Sequence, residues 1–180
     1  MSNSTPSETI NYDTMPSPIG QLLIAAADKE VVHLAFENHD FDEVLDQLEA
    51  TYGGPVQHSA QALSFATTQL AEYFAGNRKS FDLTLRKPAD NGFIATVQQH
   101  LAAIPYGETR SYGEIATQLG RPGAARAVGT ACAKNPIPLL QPCHRVVRTD
   151  GTHGGFSGTT GAKKYLLAFE RGEHPAPPTS

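Results

Sequence analysis

Hydrophobic positions gather in three short runs near the start of the chain. Residues 10–15, 21–27 and 30–36 are rich in Ile, Leu and Val, and Pro16, Pro18, Gly20 and Asp28 punctuate them. Short apolar runs bounded by turn formers predict three β-strands. The period then changes. Phe41, Val44, Leu45 and Leu48 recur at helical spacing behind Asp40, with Glu43 as a capping-box partner. Leu63, Thr67, Leu70 and Phe74 mark one face of a second helix over 60–74. Phe81, Leu83 and Leu85 alternate with polar neighbours, a strand pattern over 80–85.

Lys87-Pro88-Ala89-Asp90-Asn91-Gly92 is polar, holds Pro and Gly, and reads as a joint between two domains, 1–88 and 89–180. Past it the pattern turns helical. Phe93, Val97, Leu101 and Ile104 share a helix face that Pro105-Tyr106-Gly107 breaks. Ser111 and Glu114 form a capping box for a helix ending at Leu119. After Gly120-Arg121-Pro122-Gly123 comes an Ala-rich helix over 124–134. Two helices joined by a short Gly-containing turn predict a helix-turn-helix, although many such hairpins bind nothing. Ala124, Ala125, Ala127 and Gly129 leave the second helix slim, with Arg126 as its one long basic side chain. Such a helix can approach a groove closely, and Arg110, Arg121 and Arg126 make a phosphate footprint. The other reading of an Ala-rich helix is close packing in a bundle.

Charge and composition sharpen this division. The 180 residues are 39% hydrophobic and 18% charged, too apolar for a disordered chain. No run reaches the length of a membrane span, and the polar start of the chain shows no secretory signal. Two cysteines make no disulfide framework, so cytoplasmic residence is the expectation. The net charge of -4 argues at face value against nucleic acid. It averages two unlike halves. Residues 1–85 carry 3 Lys/Arg against 12 Asp/Glu, a net of -9, and 86–180 carry 11 against 6, a net of +5. His33, His39 and His58 in the acidic half are scattered and read as surface or packing residues.

The densest chemistry lies in the run from Asn135 to Val147, where Cys143, His144 and Arg145 are adjacent. Pro136, Pro138 and Pro142 bar a helix and predict an extended segment. A thiol beside an imidazole and a guanidinium predicts a lowered thiol pKa and a nucleophilic thiolate. Successive side chains of an extended segment point to opposite faces. Either the chain bends at Cys143, or a water relays a proton to His144. Glu170, at the end of an apolar-faced helix over 162–170, is a candidate anchor for the imidazole. The loop 150–157 offers Gly154 and Gly155 for close approach, Phe156 as a ring face and Ser157 as a hydroxyl, a make-up suited to a flat ring. No Cys-x-x-Cys zinc pattern occurs, and Cys132 reads as packing.

Pro142-Cys143-His144-Arg145-Val146, with Ile104-Pro105-Tyr106-Gly107, Ser111-Tyr112-Gly113, Ala125-Arg126-Ala127-Val128-Gly129 and Asn135-Pro136, resembles the methylated-DNA–protein-cysteine methyltransferases, the O6-alkylguanine-DNA alkyltransferases. The resemblance implies an α+β fold: an N-terminal α/β domain with a small antiparallel sheet, ribonuclease H-like, and a mostly helical, winged-helix-like C-terminal domain. It implies irreversible, single-turnover transfer of an alkyl group from O6-alkylguanine in double-stranded DNA to Cys143, with O4-alkylthymine as a further substrate left open. His144 matches a base acting through water and Glu170 its orienting partner. Tyr112 matches a residue that turns the target's 3′ phosphate and protonates the departing base, and Asn135 matches a brace. Arg126 matches the arginine that fills the place of the flipped nucleotide. Val146, Gly155, Phe156, Ser157 and Lys163 match the substrate pocket. No cofactor, metal, membrane or obligate protein partner is implied, and a monomer is expected. The chain departs from many relatives in having no Trp and in the loop run His153-Gly154-Gly155. Two rivals remain from other classes: a DNA-binding module without catalysis, which needs no Cys143, and a cysteine hydrolase, which needs a bonded Cys–His pair and an oxyanion hole.

Overall fold

A computed structural model describes residues 7–159 and 161–178. The chain divides into two compact units, Met1–Arg86 and Lys87–Ser180.

The first unit is a five-stranded sheet with two helices. Strands β1 (Glu8–Met15), β2 (Leu22–Ala27) and β3 (Glu30–Phe36) form the expected antiparallel centre. Two further strands, β4 (Gly53–His58) and β5 (Thr84–Leu85), pair in parallel at the edges, giving the order β4-β1-β2-β3-β5. All six residues of β2 are buried, because both faces of the central strand are covered. Helix α1 (Phe41–Tyr52) starts where the Asp40 carboxylate accepts from the amides of Asp42 and Glu43, and stops at Gly53 with φ of 67°. Its Val44 and Leu48 join Ile10, Leu23, Ala25 and Val32 in one apolar cluster. Helix α2 (Ala60–Phe74) buries Leu63, Ala66, Leu70 and Tyr73.

The strand expected over 80–85 shrinks to two residues. The Asp82 amide bonds to the Gln69 side chain at 2.8 Å, and Phe81 packs on Tyr73 with ring centroids 5.4 Å apart. Side-chain capture satisfies this backbone in place of a ladder. Strand β4 opens on Gly53-Gly54-Pro55, so it has no alternation to announce it. A Cβ on Gly54 would lie 2.3 Å from the Glu8 carbonyl oxygen, which is why the close pairing with β1 needs glycine there.

The second unit is helical. It holds α3 (Phe93–His100), β6 (Arg110–Ser111), α4 (Tyr112–Gln118), α5 (Ala125–Ala133), β7 (Val146–Val147) and α6 (Ala162–Glu170). Ser111 and Glu114 close the predicted capping box. Helix α4, the turn at Gly120 with φ of 76°, and α5 make the helix-turn-helix. The core gathers Val97, Leu101, Ile104, Ile115, Val128 and Ala131 with Cys132, Cys143 and Val146. The parallel ribbon β6–β7 pairs Arg110 with Val146 and Ser111 with Val147. It thereby ties the head of the first helix of the motif to the segment carrying the cysteine.

Candidate active site

The segment after α5 is not extended. Prolines exclude a helix here but do not straighten the chain. Leu139 takes φ of 73°, a left-handed conformation, and the Gln141 amide bonds back to the Ile137 carbonyl at 2.9 Å. Cys143–Arg145 then form one 3₁₀ turn. The cause is Asn135. Its amide nitrogen donates to the Gln141 carbonyl at 2.8 Å, and its oxygen accepts from the Ile137 amide at 3.1 Å and from Gln141 Nε2 at 2.9 Å. One buried side chain thus closes a loop that backbone pairing leaves open. The chain bends at Cys143, yet among the described residues no hydrogen bond joins its thiol to His144, so the bend does not make the pair and a water relay stays open.

Cys143, His144, Arg145 and Glu170 are all buried. His144 Nε2 lies 2.8 Å from Glu170 Oε1, and among the described residues His144 Nδ1 has no hydrogen-bond partner. Arg145 grips the same carboxylate with two nitrogens, each at 2.9 Å, and donates to the Ile104 carbonyl at 2.7 Å. Burial works to raise the Glu170 carboxyl. The hydrogen bonds from His144 and Arg145 and their charges outweigh it and hold Glu170 well below the usual carboxylate range. Burial pushes His144 down, against the pull of Glu170, so the imidazole is neutral near pH 7. A neutral ring that donates from Nε2 to a carboxylate presents Nδ1 as a basic lone pair.

The expected low thiol pKa is not what the fold produces. Burial pushes the Cys143 thiol up to about 11, although Asn135 and Lys163 pull it down. The guanidinium meant to favour a thiolate is committed to Glu170. At rest Cys143 is a protonated thiol 2% exposed, and ionisation needs a base. Cys132 lies in the same apolar cluster, with its thiol pushed up to about 12 by burial, and serves packing.

Beside this cluster opens a cleft of about 460 Å³, whose walls Tyr112 and Phe156 pack against the cluster that holds Cys143. Ala125, Gly129 and Ala133, four residues apart on α5, form a flat side of it. Arg126, Arg148, Gly154, Gly155 and Ser157 complete the lining. Tyr112 is fitted tightly. Its ring lies 3.8 Å from where a Gly129 Cβ would stand, and its hydroxyl 2.6 Å from a Cβ on Gly154. Burial, then the two cysteines, push its phenol up, leaving it a proton donor. Lys163 sits beneath the loop and donates to the carbonyls of Val146 at 2.5 Å and Gly155 at 3.3 Å. Ala124 packs against the core at the head of α5. Arg110 lies outside this lining, paired with Glu108 at 2.9 Å, and Arg121 sits 4.9 Å over the Phe93 ring. Among the described residues, no three His, Cys, Asp or Glu side chains are arranged to hold a metal ion. None of the described helices is long and apolar enough to cross a membrane.

Residues 92–172 match the family model for the DNA binding domain of 6-O-methylguanine DNA methyltransferase, and 10–86 match its ribonuclease-like domain. The chain is 42% identical over 167 residues to the methylated-DNA–protein-cysteine methyltransferase of Mycolicibacterium paratuberculosis, covering 93% of this chain and 96% of that one. The chain belongs to the methylated-DNA–protein-cysteine methyltransferase family. It is 38% identical to the family's constitutive member in Bacillus subtilis, over 89% of this chain and 94% of the relative. The crystal structure of Mycobacterium tuberculosis OGT in complex with DNA superposes with a TM-score of 0.79 at 39% identity, covering 93% of this chain and 96% of that one. Its α+β architecture and its enzyme class are those of the methylated-DNA–protein-cysteine methyltransferases.

For a methyltransferase of this family, the sequence gives one arginine the wrong partner and leaves another without an assigned role. Adjacency in sequence puts Arg145 beside the thiol, whereas the fold makes it the clamp on Glu170. Arg148 lines the cleft. Its signal is a cation directly after buried Val146-Val147 and one residue short of the Asp150-Gly151 turn, a position at a strand exit.

Proposed function

We propose that the protein binds double-stranded DNA through α4 and α5 and repairs O6-alkylguanine by moving the alkyl group to Cys143. In this reading α5 enters the minor groove, with Ala124, Ala125 and Gly129 allowing close approach. The alkylated base is turned out of the stack, since its O6 substituent is unreachable inside a duplex. Arg126 fills the vacated place and Tyr112 helps turn the 3′ phosphate. The base enters the cleft between Tyr112 and Phe156. The carbonyls of Cys143 and Val146 and the Ser157 hydroxyl and amide read its edge, while Lys163 holds the loop near Gly155.

His144 Nδ1 takes the thiol proton through a water. The Cys143 sulfur attacks the alkyl carbon in line, forming an S–C bond as the C–O6 bond breaks. The electron pair leaves with guanine, which gains a proton from Tyr112. Glu170, ionised and held by Arg145, fixes the His144 tautomer and stabilises the imidazolium. The carrying observation is His144 itself, buried, tethered through Nε2 and bare at Nδ1. The thioether product has no route back, so each molecule reacts once. The same reading has the protein act as a cytoplasmic monomer without an obligate protein partner.

The test is the intact mass after incubation with a duplex oligonucleotide bearing O6-methylguanine. One added methyl is expected, on the peptide containing Cys143, and none in Cys143→Ala. An unmodified mass with tight binding to the lesion would instead make the protein a reader of alkylated DNA.

A further inference from the structure

Arg148 is a charged cleft residue with no role in the chemistry above. Its place is set by the β6–β7 ribbon. Ser111 pairs with Val147 in parallel register, so Tyr112 and Arg148 are the next residues on the two strands and leave the ribbon at the same end. Both line the cleft. The Arg148 backbone is pinned as well, its amide donating to the Thr152 carbonyl at 2.9 Å and its carbonyl accepting from Gly151 at 2.8 Å. Its guanidinium has no hydrogen bond or ion pair with any described residue. Nearby arginines are committed: Arg110 to Glu108, Arg145 to Glu170 and Arg171 to Glu173. The adjacent carboxylate of Asp150 is occupied by the amide and hydroxyl of Thr152, at 2.9 and 2.7 Å. Among the described residues, Arg148 and Arg126 are therefore the cleft-lining cations with no side-chain hydrogen bond or ion pair, and they are carried by different elements.

We propose that Arg148 is a phosphate-binding residue that grips the phosphodiester on the 3′ side of the extruded nucleotide, beside Tyr112. This rests on the alkyl-transfer reading above. A guanidinium presents paired N–H donors that match two phosphate oxygens, and it cannot lose its charge. A base edge in this cleft meets backbone groups and Ser157, whereas a permanent cation at the rim suits an anion. Phosphate contacts fix register and orientation without reading sequence. Arg126 and Arg148 then divide the work: the first fills the stack, and the second holds the strand that has left it.

The experiment compares alkyl transfer to Cys143 at subsaturating duplex, using O6-methylguanine with a natural phosphate or a neutral methylphosphonate on its 3′ side. Arg148→Ala is expected to lower the rate on natural duplex about tenfold. It should also reduce the salt slope of binding by about one. The methylphosphonate should slow the wild-type protein by a similar factor and slow Arg148→Ala little further. Arg148→Lys, which keeps the charge and loses the fork, should fall between. Independent losses from the substitution and the methylphosphonate would overturn the proposal, as would a wild-type protein indifferent to the methylphosphonate, a result that needs no variant to fold. A wild-type protein that takes no methyl from natural duplex would instead sink the alkyl-transfer reading itself.

Discussion

At the scale of single residues, the site runs on one neutral imidazole and one ionised carboxyl, both buried and held side by side. Burial pushes His144 below its ordinary value of 6.5, so the base form persists into mildly acidic solution. Protonation of Nδ1 abolishes the acceptor for the thiol proton. Alkyl transfer from free O6-benzylguanine, which needs no DNA, should therefore hold from pH 8 down to 6.5 and fall only below that. An acid limb centred above 6.5 would remove His144 as the base. Glu170 works in the same direction for stability. Its folded pKa lies below its ordinary 4.5, so its contribution is complete above 4.5 and is lost as the pH falls further. Glu170→Gln leaves the buried Arg145 guanidinium without its counter-charge. It should cost about 3–5 kcal/mol in urea denaturation near pH 7 and flatten the loss of stability below pH 4.5. A variant as stable as wild type would show that the Arg145–Glu170 pair carries no net stabilisation.

At the scale of elements, the decisive piece is the irregular run from Asn135 to Arg145, placed between α5 and β7. Leu139 is buried yet sits at φ of 73°, where a side chain costs roughly 1–2 kcal/mol. Replacing it with Ala loses the buried apolar surface and keeps the strain. Leu139→Gly loses the same surface and removes the strain. Thermal denaturation should rank Gly above Ala here by about 1 kcal/mol, the reverse of the usual order in regular structure. Gly154 is the other sensitive position. A Cβ there would press on the Tyr112 hydroxyl at 2.6 Å from a backbone at φ of 67°. Gly154→Ala should slow alkyl transfer about tenfold and also cost roughly 1–2 kcal/mol of stability through the left-handed backbone, and an unaffected rate would mean that Tyr112 has room to move. These positions also show what could be read from sequence. Helix α2 and the Ser111–Glu114 cap were legible because period and capping are local. The bend at Leu139 was not, since three prolines exclude a helix without choosing between extension and a turn, and Asn135 makes that choice through bonds to Ile137 and Gln141. The contact of His144 with Glu170 was legible in the sequence. The thiol's raised pKa was not, because burial is a property of the whole unit and adjacency in sequence put Arg145 on the wrong partner.

At the scale of the molecule, charge is segregated along the chain, with -9 over residues 1–85 and +5 over 86–180. The cleft cations Arg126 and Arg148 belong to the basic unit, and the exposed acids of α1 to the other. DNA affinity depends on the phosphates that are actually neutralised, through the counterions they release, and a total charge registers there only weakly. Exposed Asp46 and Glu49 on α1 offer a direct test. Changing both to Lys raises the formal net charge from -4 to zero without touching the basic unit. If binding tracked net charge, the affinity for duplex at low salt would rise and its salt dependence would steepen. If binding is confined to the basic unit, the slope of log affinity against log salt should stay within about half a unit of wild type. Arg126→Ala should lower that slope by about one, although it makes the chain more acidic by only a single charge. A double Lys variant with a clearly steeper slope would place the acidic unit within reach of the DNA.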